Sequence, residues 1–240
     1  MTAAPGAEFL LASPLLWLTV TLGAYLAASA LSRRCGKPPL LNPTLLSIAV
    51  IVALLAATGT PYRRYFEGAQ FVHFLLGPAV VALAVPLHRH TALIRRSAGA
   101  IVGALVVGTA SAILTGALTV RALGGGRELW VSMAPKSATA PIAMAIADRL
   151  GGVAPLTAVL TIATGILGAM LGSTICRLVG IRDWPSRGFA MGLTSHGIAT
   201  ARAFQENEIA GTFAALAMAL NGVATALSAP VVIGLLDRIG

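Results

Sequence analysis

Charge-free apolar runs recur along the chain at residues 9–32, 38–62, 68–88, 97–120, 150–176 and 209–236. Each is about the 20 residues an α-helix needs to cross roughly 30 Å of hydrocarbon. Two further stretches, 128–148 and 187–205, keep the apolar tone but are interrupted by polar residues, proline or glycine. The pattern predicts eight helical segments: S1 9–32, S2 40–58, S3 69–88, S4 97–120, S5 128–148, S6 153–176, S7 187–205 and S8 209–236. Breakers separate them, namely Lys37-Pro38-Pro39, Gly59-Thr60-Pro61, Gly124-Gly125-Gly126 and Gly151-Gly152. Small residues recur within segments, as in Gly99, Gly103 and Gly108, or Gly165, Gly168 and Gly172. They permit the close backbone approach that packs helices where lipid supplies no hydrophobic drive.

The expected fold is an all-α polytopic membrane protein of about seven or eight membrane segments, some broken or re-entrant. One domain would cover 1–240, with 9–120 and 128–236 as candidate repeat halves. Composition agrees: 57% apolar, only 10% charged, with a mean hydropathy of +0.85. A soluble domain carries about a quarter charged residues. Net charge is +9, but the arginines are scattered in short loops, as topology determinants and lipid anchors rather than a nucleic-acid surface. Met1–Glu8 has no basic stretch, so S1 reads as a retained helix rather than a cleaved signal. Cys35 and Cys176 are isolated, and His73, His88, His90 and His196 share no ligand spacing, so neither metal nor cofactor is expected.

Loop charge discriminates between topologies. If all eight segments span, Arg and Lys divide seven to eight, which is no bias. If S5 is re-entrant, ten fall on one side (Arg33, Arg34, Lys37, Arg89, Arg95, Arg96, Arg177, Arg182, Arg187, Arg238) and five on the other (Arg63, Arg64, Arg121, Arg127, Arg149). That split obeys the positive-inside rule, with the N-terminus outside and the C-terminus inside. S3 and S7 are also candidates for re-entry.

Three segments are internally broken: S3 at Pro78, S5 at Pro135 and Pro141, and S7 at Ser195-His196-Gly197. Short, broken segments in separated parts of a chain point to a transporter binding site. S5 is the most informative, because Lys136 sits between its two prolines. A cation at the bilayer centre costs about 2.5–3.5 kcal/mol and marks a functional site by default. Ser137 and Thr139 add hydroxyls beside it. S7 adds His196 and Thr200, four residues apart; His196 reads as a substrate-binding or proton-coupling group, or as a hydrogen-bonded structural histidine. Arg202 either pairs with Glu206 at the interface or reaches inward. Asn42, before Pro43, is either a helix cap or a polar wall of the cavity. Asn221 and Thr225 in S8 read as interhelical hydrogen-bonding residues. An ammonium, an imidazole, hydroxyls and helix N-termini suit a small anion, and the acidic residues lie at segment ends. No nucleophile–base–orienter set is present, so an enzyme is not expected.

These residues resemble those of the LrgB/CidB family of bacterial membrane proteins, nearly end to end. The matching stretches are 39–43 (PLLNP), 76–87, 135–143 (PKSATAPIA), 165–169 and 195–203 (SHGIATARA). One departure is Ala138-Thr139-Ala140, where relatives commonly carry a bulkier residue and a second threonine. The resemblance implies a multi-pass protein of the bacterial inner (plasma) membrane and two functions. One is an antiholin-like regulator of murein hydrolase activity or export and of autolysis, acting with a small LrgA/CidA-type partner. The other, through similar plastid glycolate/glycerate transporters, is a carrier of small 2-oxo or 2-hydroxy monocarboxylates such as pyruvate, glycolate or glycerate. Broken helices and buried cations favour the carrier. The expected partners are the lipid bilayer, the LrgA/CidA-type protein, a monocarboxylate and a homo-oligomeric copy, with no nucleic acid.

Overall fold

The computed structural model describes residues 13–36, 38 and 41–238, and its regular structure there is helical throughout. The first residues of S1, the Met1–Glu8 stretch, Lys37, and Pro39 and Leu40 of the proline motif lie outside the described residues. Contacts divide the chain into two compact units, Met1–Ala84 and Val85–Gly240.

In the first unit, α1 (Pro14–Arg34), α2 (Pro43–Thr58) and α3 (Tyr62–Phe74) are followed by the short α4 (Leu76–Ala82). Each of the first two begins with proline in its first turn, where the missing N–H is no loss. Asn42 caps α2: its Oδ1 accepts from the Thr44 N–H at 2.9 Å and the Leu45 N–H at 3.3 Å. Gly59, at φ 64°, ends α2 in a left-handed cap that favours glycine. Gly68 lets α3 lie against Pro14 and Trp17 of α1, where Trp17 is 2% exposed and edge-on to Tyr65. S3 is jogged at Leu75 and Leu83, while Pro78 sits in the first turn of α4 rather than at the jog.

The second unit continues with α5 (Ala84–Arg89) and α6 (Thr91–Arg96), then the long α7 (Ala98–Ala122). After it come α8 (Arg127–Met133), α9 (Ala140–Leu150), α10 (Ala154–Leu178), α11 (Trp184–Glu206) and α12 (Glu208–Arg238). Five helices in the described residues are long and apolar enough to cross a bilayer: α1, the jogged Tyr62–Arg89 stretch, α7, α10 and α12; α2 is a shorter apolar helix. Spanning helices alone therefore do not reach seven or eight, because S5 and S7 take another form.

S5 is a hairpin. Arg127 opens α8 and Leu150 closes α9, and the Arg127 Nη1 donates to the Leu150 carbonyl at 3.0 Å across 23 residues. A straight helix would separate them by about 34 Å. The chain turns back within the Ala134–Thr139 break. S7 is a hairpin too: Arg187 and Glu206, 19 residues apart, form an ion pair at 3.2 Å. The reversal falls at Ser195 (φ −138°, ψ 20°) and His196 (φ 43°, ψ −138°). The reversal thus falls within the expected Ser195-His196-Gly197 interruption, on Ser195 and His196, with Gly197 just beyond it.

The hairpins enter from opposite faces. Arg127, at the base of the first, pairs with Asp237 near the C-terminal end of α12 at 2.8 Å. At the base of the second, Gly188 packs against the Ala210 carbonyl near the other end of α12. Since α12 has 31 residues and spans, these ends belong to different sides. The expectation that placed Arg238 opposite Arg127 is therefore corrected: both share one face, because S7 does not cross. Within this unit Arg89, Arg95, Arg96, Arg177, Arg182, Arg187 and Arg202 share the Glu206 face, against Arg121, Arg127, Arg149 and Arg238. Seven to four makes the Glu206 face cytoplasmic by the positive-inside rule.

Local chemistry fixes the hairpin bases. Asp183 caps α11, its carboxylate accepting from the Ser186 N–H at 2.8 Å. The Ser186 hydrogen bonds hold the Asp183 carboxyl below the usual carboxylate range. Its capping contribution is complete above the unfolded value near pH 4 and is lost as pH falls through the lower folded value. Asp183→Ala is expected to cost up to about 1 kcal/mol at pH 7, and thermal unfolding should show the variant's deficit shrinking below about pH 4.

Candidate functional site

Both tips lie at the depth of the membrane centre. The first reaches Ala112, close to the midpoint of the 25-residue α7, and the second contacts Gly165 and Gly168 near the midpoint of the 25-residue α10. At the first tip, Pro135 ends the α8 ladder. Pro141, in the first turn of α9, starts a new helix after Thr139. Thr139 occupies the N-cap position, yet its hydroxyl makes no cap bond, which leaves the Ala140 and Ile142 N–H groups without intrahelical partners. This helix start is a ready anion-binding end.

Lys136 turns from its own hairpin to α7. Its ammonium donates to the Ala112 carbonyl at 3.0 Å, and it makes no ion pair among the described residues. Gly116 makes room for it: a Cβ there would stand 3.1 Å from Nζ. Ser137 is 5% exposed.

At the second tip, the His196 Nε2 donates to the Thr161 carbonyl of α10 at 2.9 Å. A carbonyl only accepts, so that nitrogen carries the proton. His196 holds a positive φ, a conformation that costs a non-glycine residue about 1–3 kcal/mol and concentrates at functional sites. Thr200 donates its hydroxyl to the His196 carbonyl at 2.8 Å, four residues back along the second arm. The Thr161 hydroxyl beside this tip is buried without a partner.

Close approach here depends on glycine. A Cβ on Gly165 would lie 2.6 Å from the His196 ring, and one on Gly168 would overlap the Ser195 side chain. Gly168→Val should therefore displace the second hairpin and destabilise the protein by about 1–3 kcal/mol, measured as a fall in melting temperature in detergent.

One side chain joins the tips. Asn221, fully buried near the midpoint of α12, donates to the Ser137 carbonyl and to the Leu193 carbonyl, each at 3.0 Å. Its Oδ1 accepts from the Thr109 hydroxyl of α7 at 2.8 Å and from Thr225 at 3.3 Å. Of the expected residues, the second unit thus gathers Lys136, Ser137 and Thr139 at one tip, and His196 and Thr200 at the other. Asn42 is a cap in the first unit, and Pro78 lies in its α4. Arg202 pairs with Glu206 at 3.1 Å, the interfacial alternative. Asn221 makes the interhelical hydrogen bonds expected of it, while Thr225 bonds Asn221 within α12; that Asn221 would bridge both breaks, and the parts of Thr109 and Thr161, were not legible in the sequence.

A groove of about 510 Å³ runs along the second hairpin, from Asp183 and Ser186 at the cytoplasmic face to Leu193, Thr194 and Gly108. It is mostly apolar, and its deep end abuts the hairpin tip.

The model of the LrgB-like family matches residues 21–235. An uncharacterised Bacillus subtilis protein, YxaC, is 34% identical over 218 residues, covering 91% of this chain and 94% of its own length. A Staphylococcus epidermidis protein named holin-like protein CidB is 29% identical over 226 residues, covering 94% and 97%. No solved structure matches. The family match begins inside α1 and ends inside α12, so it takes in both hairpins and the asparagine between them, and this multi-pass bacterial membrane protein belongs to the LrgB-like family.

Proposed function

We propose that the protein is a secondary carrier of small monocarboxylate anions, of the 2-oxo or 2-hydroxy class represented by pyruvate, glycolate and glycerate. The observation that carries the reading is the pair of helical hairpins entering from opposite faces with their broken tips joined at mid-membrane. Irregular backbone at that depth persists where protein or an aqueous cavity covers it. Broken helices whose N-termini face inward are the usual construction of a carrier's anion site. Lys136 supplies the positive charge, the open start of α9 supplies N–H groups, and Ser137, Thr139 and Thr200 supply hydroxyls. In this reading His196 titrates with the transported proton, and the groove beside Thr194 is the cytoplasmic approach. Asn42 caps α2 in the first unit, and the reading rests on the second unit's residues alone.

A second reading rests on a different observation, the name holin-like protein CidB carried by the staphylococcal relatives. In it the chain is an antiholin-like regulator of murein hydrolase activity, acting through an LrgA/CidA-type membrane partner. Uptake of labelled pyruvate and glycolate into proteoliposomes, with and without an inward proton gradient, separates the two. Saturable uptake supports the carrier, and gradient dependence implicates protons and turns attention to His196. No uptake above empty liposomes for either acid sinks the carrier reading; lysis assays with the partner co-expressed then test the regulator.

A further inference from the structure

We propose that the Asn221 carboxamide is an interlock between the two hairpins, with one N–H holding each tip, so that one tip withdraws only while the other stays held. This rests on the carrier reading for its purpose and on hairpin geometry for its existence.

A carboxamide offers two N–H donors and two acceptor positions on its oxygen. In Asn221 all four are used: the Ser137 and Leu193 carbonyls take the two hydrogens, and the Thr109 and Thr225 hydroxyls fill the oxygen. The side chain is fully buried. An asparagine that only joined two helices would need one partner across the interface. This one has a partner in each hairpin and a third on α7. Thr109 fixes the amide plane from the side opposite the tips, so the two N–H groups stay aimed at two different carbonyls.

An amide N–H and a carbonyl left unpaired at this depth are costly, since no water is present to replace the bond. Withdrawal of one tip exposes one N–H and one carbonyl. Water entering from the face toward which that tip moves, or the oxygens of a hydroxy acid, can satisfy this pair. Withdrawal of both tips would leave both pairs open at once and join the two aqueous faces. Because the hairpins come from opposite sides, that doubly open state is the leak a carrier must suppress, and Asn221 is the residue that penalises it.

The test uses full-length protein in proteoliposomes, with Cys35 and Cys176 replaced by alanine and single cysteines placed at Ser137 or Ser195. Both serines are buried, and Asn221 bonds the main chain of Ser137, so that substitution leaves the interlock in place. Labelling by a membrane-impermeant maleimide, added to one side at a time and without any acid, reads the exposure of each tip. Asn221→Leu keeps the volume and removes all four bonds; it is expected to speed labelling at both tips about tenfold. Thr109→Val frees only the amide plane and should raise both rates by a smaller factor. A folded Asn221→Leu protein in which one tip or neither changes overturns the interlock, even if its melting temperature falls. If Asn221→Leu does not fold, Thr109→Val decides by the same criterion. Wild type that takes up no acid, while both tips respond, would retire the carrier reading and keep the interlock. Uptake with unresponsive tips would do the reverse.

Discussion

In the proposed carrier, Lys136→Met is expected to reduce acid uptake to the level of empty liposomes while leaving the protein folded. The ammonium sits at mid-membrane depth and, among the described residues, bonds the Ala112 carbonyl and no carboxylate. Holding a lysine there costs about 2.5–3.5 kcal/mol even on insertion scales, so an apolar replacement of similar length should maintain or raise the melting temperature. A lysine kept for structure would give the opposite signature, with lower stability and uptake retained. Lys136→Arg should rescue poorly. Gly116 already leaves only a small space around Nζ, and a guanidinium is a planar fork rather than a point charge.

Glu206→Gln is expected to have the largest effect on stability, about 3 kcal/mol, seen as a fall in melting temperature and faster hydrogen exchange across α11. Its carboxylate accepts from the Ser173 hydroxyl at 2.6 Å, from Arg187 at 3.2 Å and from Arg202 at 3.1 Å. The Arg187, Arg202 and Glu206 side chains are only 11–16% exposed. These bonds tie the two arms of the second hairpin together at its base, and Arg187 also lies over the Trp184 ring at 4.6 Å. Neutralising this carboxylate takes from the buried Arg187 guanidinium its ion-pair partner, the situation in which losing half of a buried pair is most expensive. Asp237→Asn makes the natural contrast. Its pair with Arg127 is 48% and 35% exposed, so solvent and salt screen it and the change should be much smaller. Equal losses in the two variants would contradict this account of the hairpin base.

Much of the architecture was legible in the chain. The runs at 97–120, 150–176 and 209–236 became α7, α10 and α12 with small shifts at their ends, because length and hydropathy alone decide whether a helix can span. The cap at Asn42 followed from an asparagine before proline. The break around Lys136 followed from two prolines that no continuous helix accommodates, and loop arginines suggested that S5 re-enters. The same arginine count misplaced Arg238, because one further re-entrant segment moves every later charge to the other side. S7 carried no proline at its turn, and its reversal depends on His196 holding a positive φ. That conformation is tolerated because Gly165 and Gly168 of α10 give the tip room and the Thr161 carbonyl anchors the His196 ring.

The sequence by itself determined which segments belong in the membrane, where their helices must break, and that a lysine, a histidine and several hydroxyls lie at those breaks. These are local consequences of hydropathy, of missing N–H groups and of the cost of a charge in hydrocarbon. Only the tertiary structure decided that both broken segments double back, that they come from opposite faces, and that Asn221 ties their tips together. Those outcomes rest on hydrogen bonds between groups 23, 28, 84 and 112 residues apart. No periodicity or spacing encodes them, because a polar group buried in the membrane takes whichever partner the packing of the helices brings within reach.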